Sequence, residues 1–341
     1  MKTYKLFFLG FGTIGRALVR LILEKESMLR DSCGVELRIA AVATRRHGLA
    51  MNPDGLNGAE ILRLAETGEM IGKEFFDEKN LESLLRSSKA DIFLENTPTD
   101  RLKGEPAVTH VRAALRLGLH AVTANKGPAA FAYRELRDLA RSKARRFLFE
   151  AAVMDGTPVF SLAREALPVS QVLGFRAILN STTNYLLTRM EEGLDFEEAV
   201  AAVQAIGIAE TDPMADVDGW DAVLKTAILV NVLMDYPLRP EEISREGIGA
   251  LDPLAIRRAR AEGRPFKLIS RAERAAAGLS TSVRPEQLSP DDPLASAQGT
   301  ATMLCLETDV IPGLIVGGSA PSPRTTVYGL LSDILSIVRD D

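Results

Sequence analysis

The 341-residue chain has only two cysteines, Cys33 and Cys305, far apart in sequence, and three histidines, His47, His110 and His120, with no H-x-x-x-H spacing. Two such cysteines make neither a disulfide framework nor a C-x-x-C metal or redox motif. This fits a reducing cytoplasm, the expected location. With so few histidines and cysteines, a zinc centre would have to be built almost entirely from carboxylates, so no catalytic transition metal is expected. No apolar run approaches the roughly 20 residues that span a bilayer. The most apolar stretch, around Ala227 to Met234, is far too short, and no membrane partner is expected. The start, MKTYKLFFLGFGTIG, is interrupted by glycines and followed by no small-residue cleavage site, so it reads as a first strand and not a signal peptide. The net charge of -5, from 46 acidic and 41 basic side chains, gives no field that would gather a polyanion, and nucleic acid is not an expected partner. There is no internal repeat and no low-complexity tract.

What is present is an ordinary folded composition, 46% hydrophobic and 26% charged, in a chain long enough for about two domains at roughly 150 residues each. The first half alternates strand-like and helix-like stretches: Tyr4 to Leu9, Ile14 to Glu26 and Val35 to Ala43 form a β-α-β unit. A loop with a short helix near Ala59 to Glu66 follows. Then come a strand at Asp91 to Glu95, a helix at Glu105 to Gly118, a strand at His120 to Thr123 and a helix from Pro128 to Ser142. This alternation predicts an α/β fold with a doubly wound parallel sheet of Rossmann type. After Phe147 to Glu150 the texture changes, and a second, α+β domain is expected. Its strands are placed at Arg176 to Leu179, Pro265 to Thr281 and Ala301 to Val316. Its helices are placed at Thr183 to Glu192 and Phe196 to Ile206, and Arg324 to Val338 reads as a last helix.

Gly10-Phe11-Gly12-Thr13-Ile14-Gly15 matches G-x-G-x-x-G. That spacing permits a tight turn, a close backbone approach to a pyrophosphate and tight helix packing, with the helix amino terminus facing the anion. Alone the motif is also met in plain glycine-rich turns; the preceding strand and following amphipathic helix make it a dinucleotide-binding loop. The second strand ends in Thr44-Arg45-Arg46, where an acid would favour NAD. Two guanidiniums suit a 2′-phosphate, so NADP is expected over NAD. A solvated basic turn is the plainer alternative, and His47 is expected to be an ordinary loop residue.

A second constellation runs from Gly207 to Lys225, with Glu210, Asp212, Asp216, Asp218 and Asp221 crowded together. Their intervals do not reproduce the alternating ligands of an EF-hand, and helix capping by Asp216 and Asp218 is the simpler reading. Asp221 and Lys225 share one helix face, usually a mere surface pair. Here the helix continues through Ala222, Val223, Leu224, Ala227, Ile228, Leu229 and Val230, apolar almost all round, which implies burial with a lysine inside. Burial lowers the proton affinity of an ammonium and a neighbouring carboxylate opposes that shift, so Lys225 is suited to exchange a proton with a substrate hydroxyl.

Glu210-x-Asp212-Pro213-x-x-Asp216-Val217-x-Gly219-x-Asp221-Ala222-x-x-Lys225 resembles the central signature of the homoserine dehydrogenase family. In the family's order follow Thr123-Ala124-Asn125-Lys126-Gly127, Glu150-Ala151-x-Val153 leading to Gly156-x-Pro158, and Ile178-Leu179-Asn180-x-Thr182-Thr183-Asn184-Tyr185. The resemblance implies NAD(P)-dependent interconversion of L-homoserine and L-aspartate 4-semialdehyde, within threonine and methionine biosynthesis. It implies Lys225 as general acid or base, with Asp221, Glu210, Asp216 and Thr182 around the substrate and Lys126 between nicotinamide and substrate. Cofactor contacts are implied at Gly10, Gly12, Thr13, Ile14, Gly15, Arg45, Arg46, Thr97, Pro98, Lys126 and Gly318. A sodium or potassium site is implied at Glu150, Val153, Asp155 and Thr157. The last segment is expected to pack back on the nucleotide domain, giving 1–146 with 322–341 as that domain and 147–321 as the catalytic and dimerisation domain of a homodimer. A short form is expected, without an aspartate-kinase or carboxyl-terminal regulatory domain.

Three departures from the family pattern stand near expected ligands: Ser181 in place of glycine, Asp155 in place of a small neutral residue, and Ala320-Pro321 within a glycine-rich run. Ser181 is expected to add bulk beside the substrate strand and Asp155 to add charge near the amino-acid pocket. They leave room for a dehydrogenase acting on a different hydroxy compound, or for a non-catalytic NADP-binding sensor. An aldehyde dehydrogenase working through a thiohemiacetal needs a cysteine placed near a base, and neither Cys33 nor Cys305 is near the constellation in sequence.

Overall fold

The structure, a computed structural model, describes residues 1–207, 213–276 and 278–340. It separates into two compact units, Met1–Gly156 with Pro323–Asp341, and Thr157–Ser322.

The first unit begins with β1 (Lys2–Leu9), α1 (Thr13–Glu24), α2 (Glu26–Cys33), β2 (Val35–Ala43), β3 (Leu49–Met51), α3 (Gly58–Thr67) and α4 (Leu81–Ser88). It continues with β4 (Ile92–Glu95), α5 (Ala107–Arg116), β5 (His120–Thr123), α6 (Lys126–Phe131), α7 (Tyr133–Ser142) and β6 (Phe147–Leu148). Its sheet has the order β3-β2-β1-β4-β5-β6, parallel except for the β2–β3 pair. A parallel sheet covered on both faces needs strands that are apolar throughout. β1 meets that requirement: Leu6, Phe7, Phe8 and Leu9 are all buried, and Phe7 packs on Phe93 of β4 with ring centroids 5.8 Å apart. The strand order reverses between β1 and β4, and the crevice at that switch point, beyond the carboxyl ends of the strands, is where ligands bind in such sheets.

The closing helix of the chain, Pro323–Asp340, belongs to this unit and packs against α1, burying Val327, Leu330, Leu331, Ile334 and Ile337 in the same core as Leu18, Val19 and Ile22. The boundary falls after Gly156 and not after residue 146, because β6 pairs in parallel with β5 and carries residues 147–148 into the first sheet. The helix expected from Pro128 to Ser142 is two helices. Ala132, at φ -137°, leaves helical geometry between α6, which buries Gly127, Pro128, Ala129 and Ala130, and the one-sided α7, which buries only Leu136 and Ala140.

The second unit contains β7 (Val172–Ile178), α8 (Ser181–Glu191), α9 (Phe196–Ala205), α10 (Met214–Val217), α11 (Trp220–Leu233), β8 (Ser244–Arg245) and α12 (Pro253–Ala261). β9 (Phe266–Ala275), β10 (Gly278–Gln287), β11 (Thr302–Thr308) and β12 (Leu314–Gly318) complete it. The sheet order is β12-β11-β7-β9-β10-β8, antiparallel but for β10–β8. The two segments read as strands at 265–281 and 301–316 are each a pair of antiparallel strands. Helices α8, α11 and α12 pack against β9. As the sequence implies, α11 is apolar nearly all round, with Ala222, Val223, Leu224, Ala227, Ile228, Leu229 and Val230 buried.

Candidate active site

The glycine loop follows β1 directly. Gly10 has φ +87°, and a Cβ there would lie 2.6 Å from the Asn96 carbonyl oxygen, so neither the backbone nor the space accepts another residue. A Cβ on Gly15 would lie 3.0 Å from the Gly10 oxygen, which fixes the close packing of α1 on the loop. Gly12 differs: nothing lies within 4 Å of its Cβ position, and as N-cap of α1 it makes no side-chain cap hydrogen bond. The loop therefore leaves space at Gly12, in front of a first helical turn without a side-chain cap, as an entering phosphate requires. Beside it, both amide atoms of Asn96 are buried with no partner among the described residues. These features fit a dinucleotide.

At the end of β2 the Thr44 hydroxyl donates to the Gly48 carbonyl and accepts from the His47 N–H, closing a turn that exposes Arg45 and Arg46. His47 adds only its backbone to that turn. Arg45 pairs with Glu78, a partner 33 residues away that no local pattern signals. Arg46 makes no ion pair among the described residues.

At the ends of β4 and β5 the backbone is held by side chains. The amide nitrogen of Asn125 donates to the Thr97 carbonyl at 2.9 Å and the Pro98 carbonyl at 3.3 Å, while its oxygen caps α6 through the Gly127 N–H at 2.9 Å. Gly104 and Gly127 touch backbone to backbone, so no side chain fits at either. Lys126 is thus the half-buried first residue of α6, on a turn pinned to the segment carrying Thr97 and Pro98.

In the second unit two of the expected acids, Asp216 and Asp221, lie around the lysine. Lys225 Nζ donates to the Leu179 carbonyl at 2.7 Å and lies 2.9 Å from Asp221 Oδ2. The side chains of Lys225 and Asp221 are only 13% and 18% exposed, so the pair is not the solvated surface bridge that i,i+4 spacing usually makes. Asn180, between β7 and α8, donates from Nδ2 to Asp216 Oδ1 and to Asp221 Oδ2, both at 2.8 Å. Burial, and then the neighbouring charge of Asp221, push the Asp216 carboxyl above its ordinary range; hydrogen bonds from Asn180 and Thr182 and the charge of Lys225 pull the other way. Asp216 lies in the first turn of α10, Asp218 is the C-cap residue of α10, and α11 is entered through Gly219 at φ +81°, so neither aspartate is the N-cap that simple pattern-reading suggests. Glu210 lies outside the described residues.

The residues expected around a cation divide between the units: Glu150, Val153 and Asp155 in the first, Thr157 in the second. Glu150 and Asp333 are both buried, and the Glu150 N–H donates to Asp333 Oδ2 at 2.7 Å. Asp155 does not simply add charge to a pocket. It has φ +53°, a left-handed conformation that aspartate tolerates, and its side chain accepts a hydrogen bond from the Thr326 hydroxyl at 2.9 Å. No cluster of three or more metal-ligating His, Cys, Asp or Glu side chains occurs among the described residues. Gly318, at the end of β12, is in the second unit, where its Cβ position lies 2.9 Å from the Thr157 hydroxyl. Ser181 is the first residue of α8, half-buried next to the Asn180 cap.

Sequence reasoning passed over Lys267. Fully buried on β9, it donates to Asn184 Oδ1 at 3.0 Å, and burial lowers its pKa to about 8 against the opposing charge of the nearly buried Glu191. Asn184 in turn donates to the Ala297 and Ala301 carbonyls. An apolar-flanked lysine in a strand gives no local sign of such a partner.

Two family models match the chain: "Homoserine dehydrogenase, NAD binding domain" over residues 10–150 and "Homoserine dehydrogenase" over residues 158–335. The NAD(+)-dependent homoserine dehydrogenase of Pseudomonas canavaninivorans is 42% identical over 99% of this chain and 97% of its own length. The homoserine dehydrogenase of Methanocaldococcus jannaschii is 35% identical over 97% of this chain and 98% of its own. Among solved structures, a putative homoserine dehydrogenase from Archaeoglobus fulgidus superposes with a TM-score of 0.87 at 30% identity, covering 98% of this chain and 99% of that one. A hyperthermophilic archaeal homoserine dehydrogenase in complex with NADPH gives 0.83 at 29% identity, covering 100% and 99%. With a glycine loop shaped for a dinucleotide in one unit, a lysine–carboxylate cluster in the other, and both matched end to end, the chain belongs to the homoserine dehydrogenase family.

Proposed function

We propose that the chain interconverts L-homoserine and L-aspartate 4-semialdehyde with Lys225 as the proton-transfer group. The observation that carries this is the Lys225–Asp221 pair, withdrawn from solvent and anchored to the Leu179 carbonyl. The bound nicotinamide supplies the hydride acceptor or donor. In oxidation Lys225 takes the hydroxyl proton as the carbinol hydride leaves; in reduction it returns that proton to the aldehyde oxygen. Asp221 orients Lys225, and Asp216 with Thr182 offers a carboxylate and a hydroxyl to the amino-acid portion of the substrate. Glu210 is assigned to the same task from the sequence signature. Lys126, on its pinned turn, addresses the nicotinamide end of the cofactor together with Thr97 and Pro98. The test is nicotinamide absorbance with purified protein, L-homoserine and NADP or NAD. Turnover that collapses in Lys225→Ala is expected, and a fully active variant overturns the assignment.

Cofactor preference is assigned to NADP over NAD, supported by two exposed guanidiniums at the end of β2. Because Arg45 is shared with Glu78, Arg46 carries most of that preference, and NAD remains usable. A sodium or potassium ion is assigned to Glu150 with the Val153 and Asp155 carbonyls. The burial of Glu150 supports it, since a buried carboxylate calls for an opposite charge or hydrogen bonds nearby.

A further inference from the structure

We propose that Asn180 is a positioning residue for the reaction: its side-chain amide bridges Asp216 and Asp221 and thereby sets the carboxylate that orients Lys225. The inference rests on the homoserine dehydrogenase reading of this site and goes beyond it in assigning a role to a neutral residue outside the acidic signature.

The direction in which the amide points is fixed by the fold. Asn180 is buried, with 5% exposure, and is the N-cap of α8; its Oδ1 accepts the Thr183 N–H at 2.7 Å. With the oxygen committed to the helix, the NH2 group must face away from it, and there stand Asp216 Oδ1 and Asp221 Oδ2, each at 2.8 Å. One proton serves each carboxylate. Asp221 Oδ2 is also the oxygen paired with Lys225, and Lys225 donates to the carbonyl of Leu179, the residue next to Asn180. The junction of β7 and α8 therefore holds two partners of the catalytic lysine at once: Asn180 sets Asp221 from 41 positions away, and Leu179 accepts from Lys225 itself across 46.

Neutrality is part of the design. Among the described residues, the charged groups acting on Asp216 are Asp221 and Lys225, both from α11. A third carboxylate at position 180 would keep the shape and the helix cap, since aspartate caps as well as asparagine. It would also replace two donors by acceptors and add negative charge between two acids.

Asn180→Asp is thus the decisive variant. Its expected behaviour is a kcat/KM for L-homoserine reduced about 10- to 100-fold, with the acid limb of the pH profile displaced upward by about one unit or more. Dinucleotide affinity, read by fluorescence quenching, should match wild type. Asn180→Ser keeps a capping oxygen but is too short to bridge; it is expected to lose kcat/KM with a smaller displacement of the acid limb. Wild-type kcat, KM and pH profile in Asn180→Asp would overturn the inference. So would losses in both variants that only track a loss of folded protein by circular dichroism, since Asn180 would then be a cap alone. A wild-type protein without homoserine turnover would instead overturn the underlying functional reading.

Discussion

The glycine loop of the first unit and the lysine–carboxylate cluster of the second meet charged ligands by opposite means. The loop presents backbone: glycines at 10, 12 and 15 and the uncapped first turn of α1, with no ionisable side chain in the motif. Its partial charges are fixed in place and do not titrate. The cluster presents side chains, Asn180, Asp216, Asp221 and Lys225, drawn from one interelement junction and two helices, each oriented by another. One site should therefore be damaged by adding atoms and the other by removing them.

The largest effect tests the cluster. Lys225→Ala is expected to lower kcat by about 10²- to 10⁴-fold, the range of a positioned proton-transfer group, while NADP affinity stays at the wild-type value. Stopped-flow or steady-state absorbance with a separate binding titration separates the two readings. A parallel loss of cofactor affinity would break the division between the sites.

The loop should respond to single methyl groups, and differently at neighbouring glycines. Gly10→Ala forces a side chain to φ +87° and into the Asn96 carbonyl, costing at least about 1–2 kcal/mol from the backbone alone. A fall of several °C in the melting temperature and a loss of nucleotide binding are expected. Gly12→Ala meets nothing within 4 Å and has an ordinary φ of -77°, so thermal stability should be unchanged. Nucleotide affinity should still fall, because the new methyl occupies the space left for the pyrophosphate. If Gly12→Ala also binds normally, that space has another purpose.

A smaller effect is confined to one cofactor. Arg46→Ala is expected to raise the KM for NADP about tenfold, near the value of one charge-assisted hydrogen bond, and to leave the KM for NAD unchanged. Glu78→Gln releases Arg45 and should move the NADP-to-NAD ratio modestly the other way.

The same contrast explains what could be read from the sequence. The loop is contiguous, and its six residues with flanking strand and helix announce the doubly wound fold without any long-range contact. The acids and Lys225 are also close in sequence, so their gathering on α10 and α11 was legible. What escaped is what the fold supplies from a distance: Asn180, 36 and 41 positions from its carboxylates, Glu78 opposite Arg45, and Lys267, 83 positions from Asn184. The helix break at Ala132 escaped for a related reason. It arises where a buried helix of small residues meets an amphipathic one, a packing difference that propensity does not record.

The last consequence of the contrast is in pH. Binding of NAD to a backbone-built loop should be flat between pH 6 and pH 9, roughly the range over which no backbone group titrates. The cluster should not be flat. Asp216 is held above the ordinary carboxylate range by burial and by Asp221, so kcat/KM for L-homoserine should climb with pH until Asp216 has ionised. The stability sign is the reverse. Between the unfolded value and the raised native value the folded chain holds the extra proton, so stability falls as pH rises through that window. Lys267 gives the opposite slope elsewhere. Its native value of about 8 lies below the unfolded value of 10.5, so the folded chain loses its proton first and stability rises with pH between the two. Asp216→Asn should flatten the acid slope while raising the KM for L-homoserine, and Lys267→Met should remove the alkaline slope. Urea midpoints measured from about pH 3 to pH 11, a span that brackets both windows, check each sign. A wild-type acid slope persisting in Asp216→Asn would place the titrating carboxyl elsewhere.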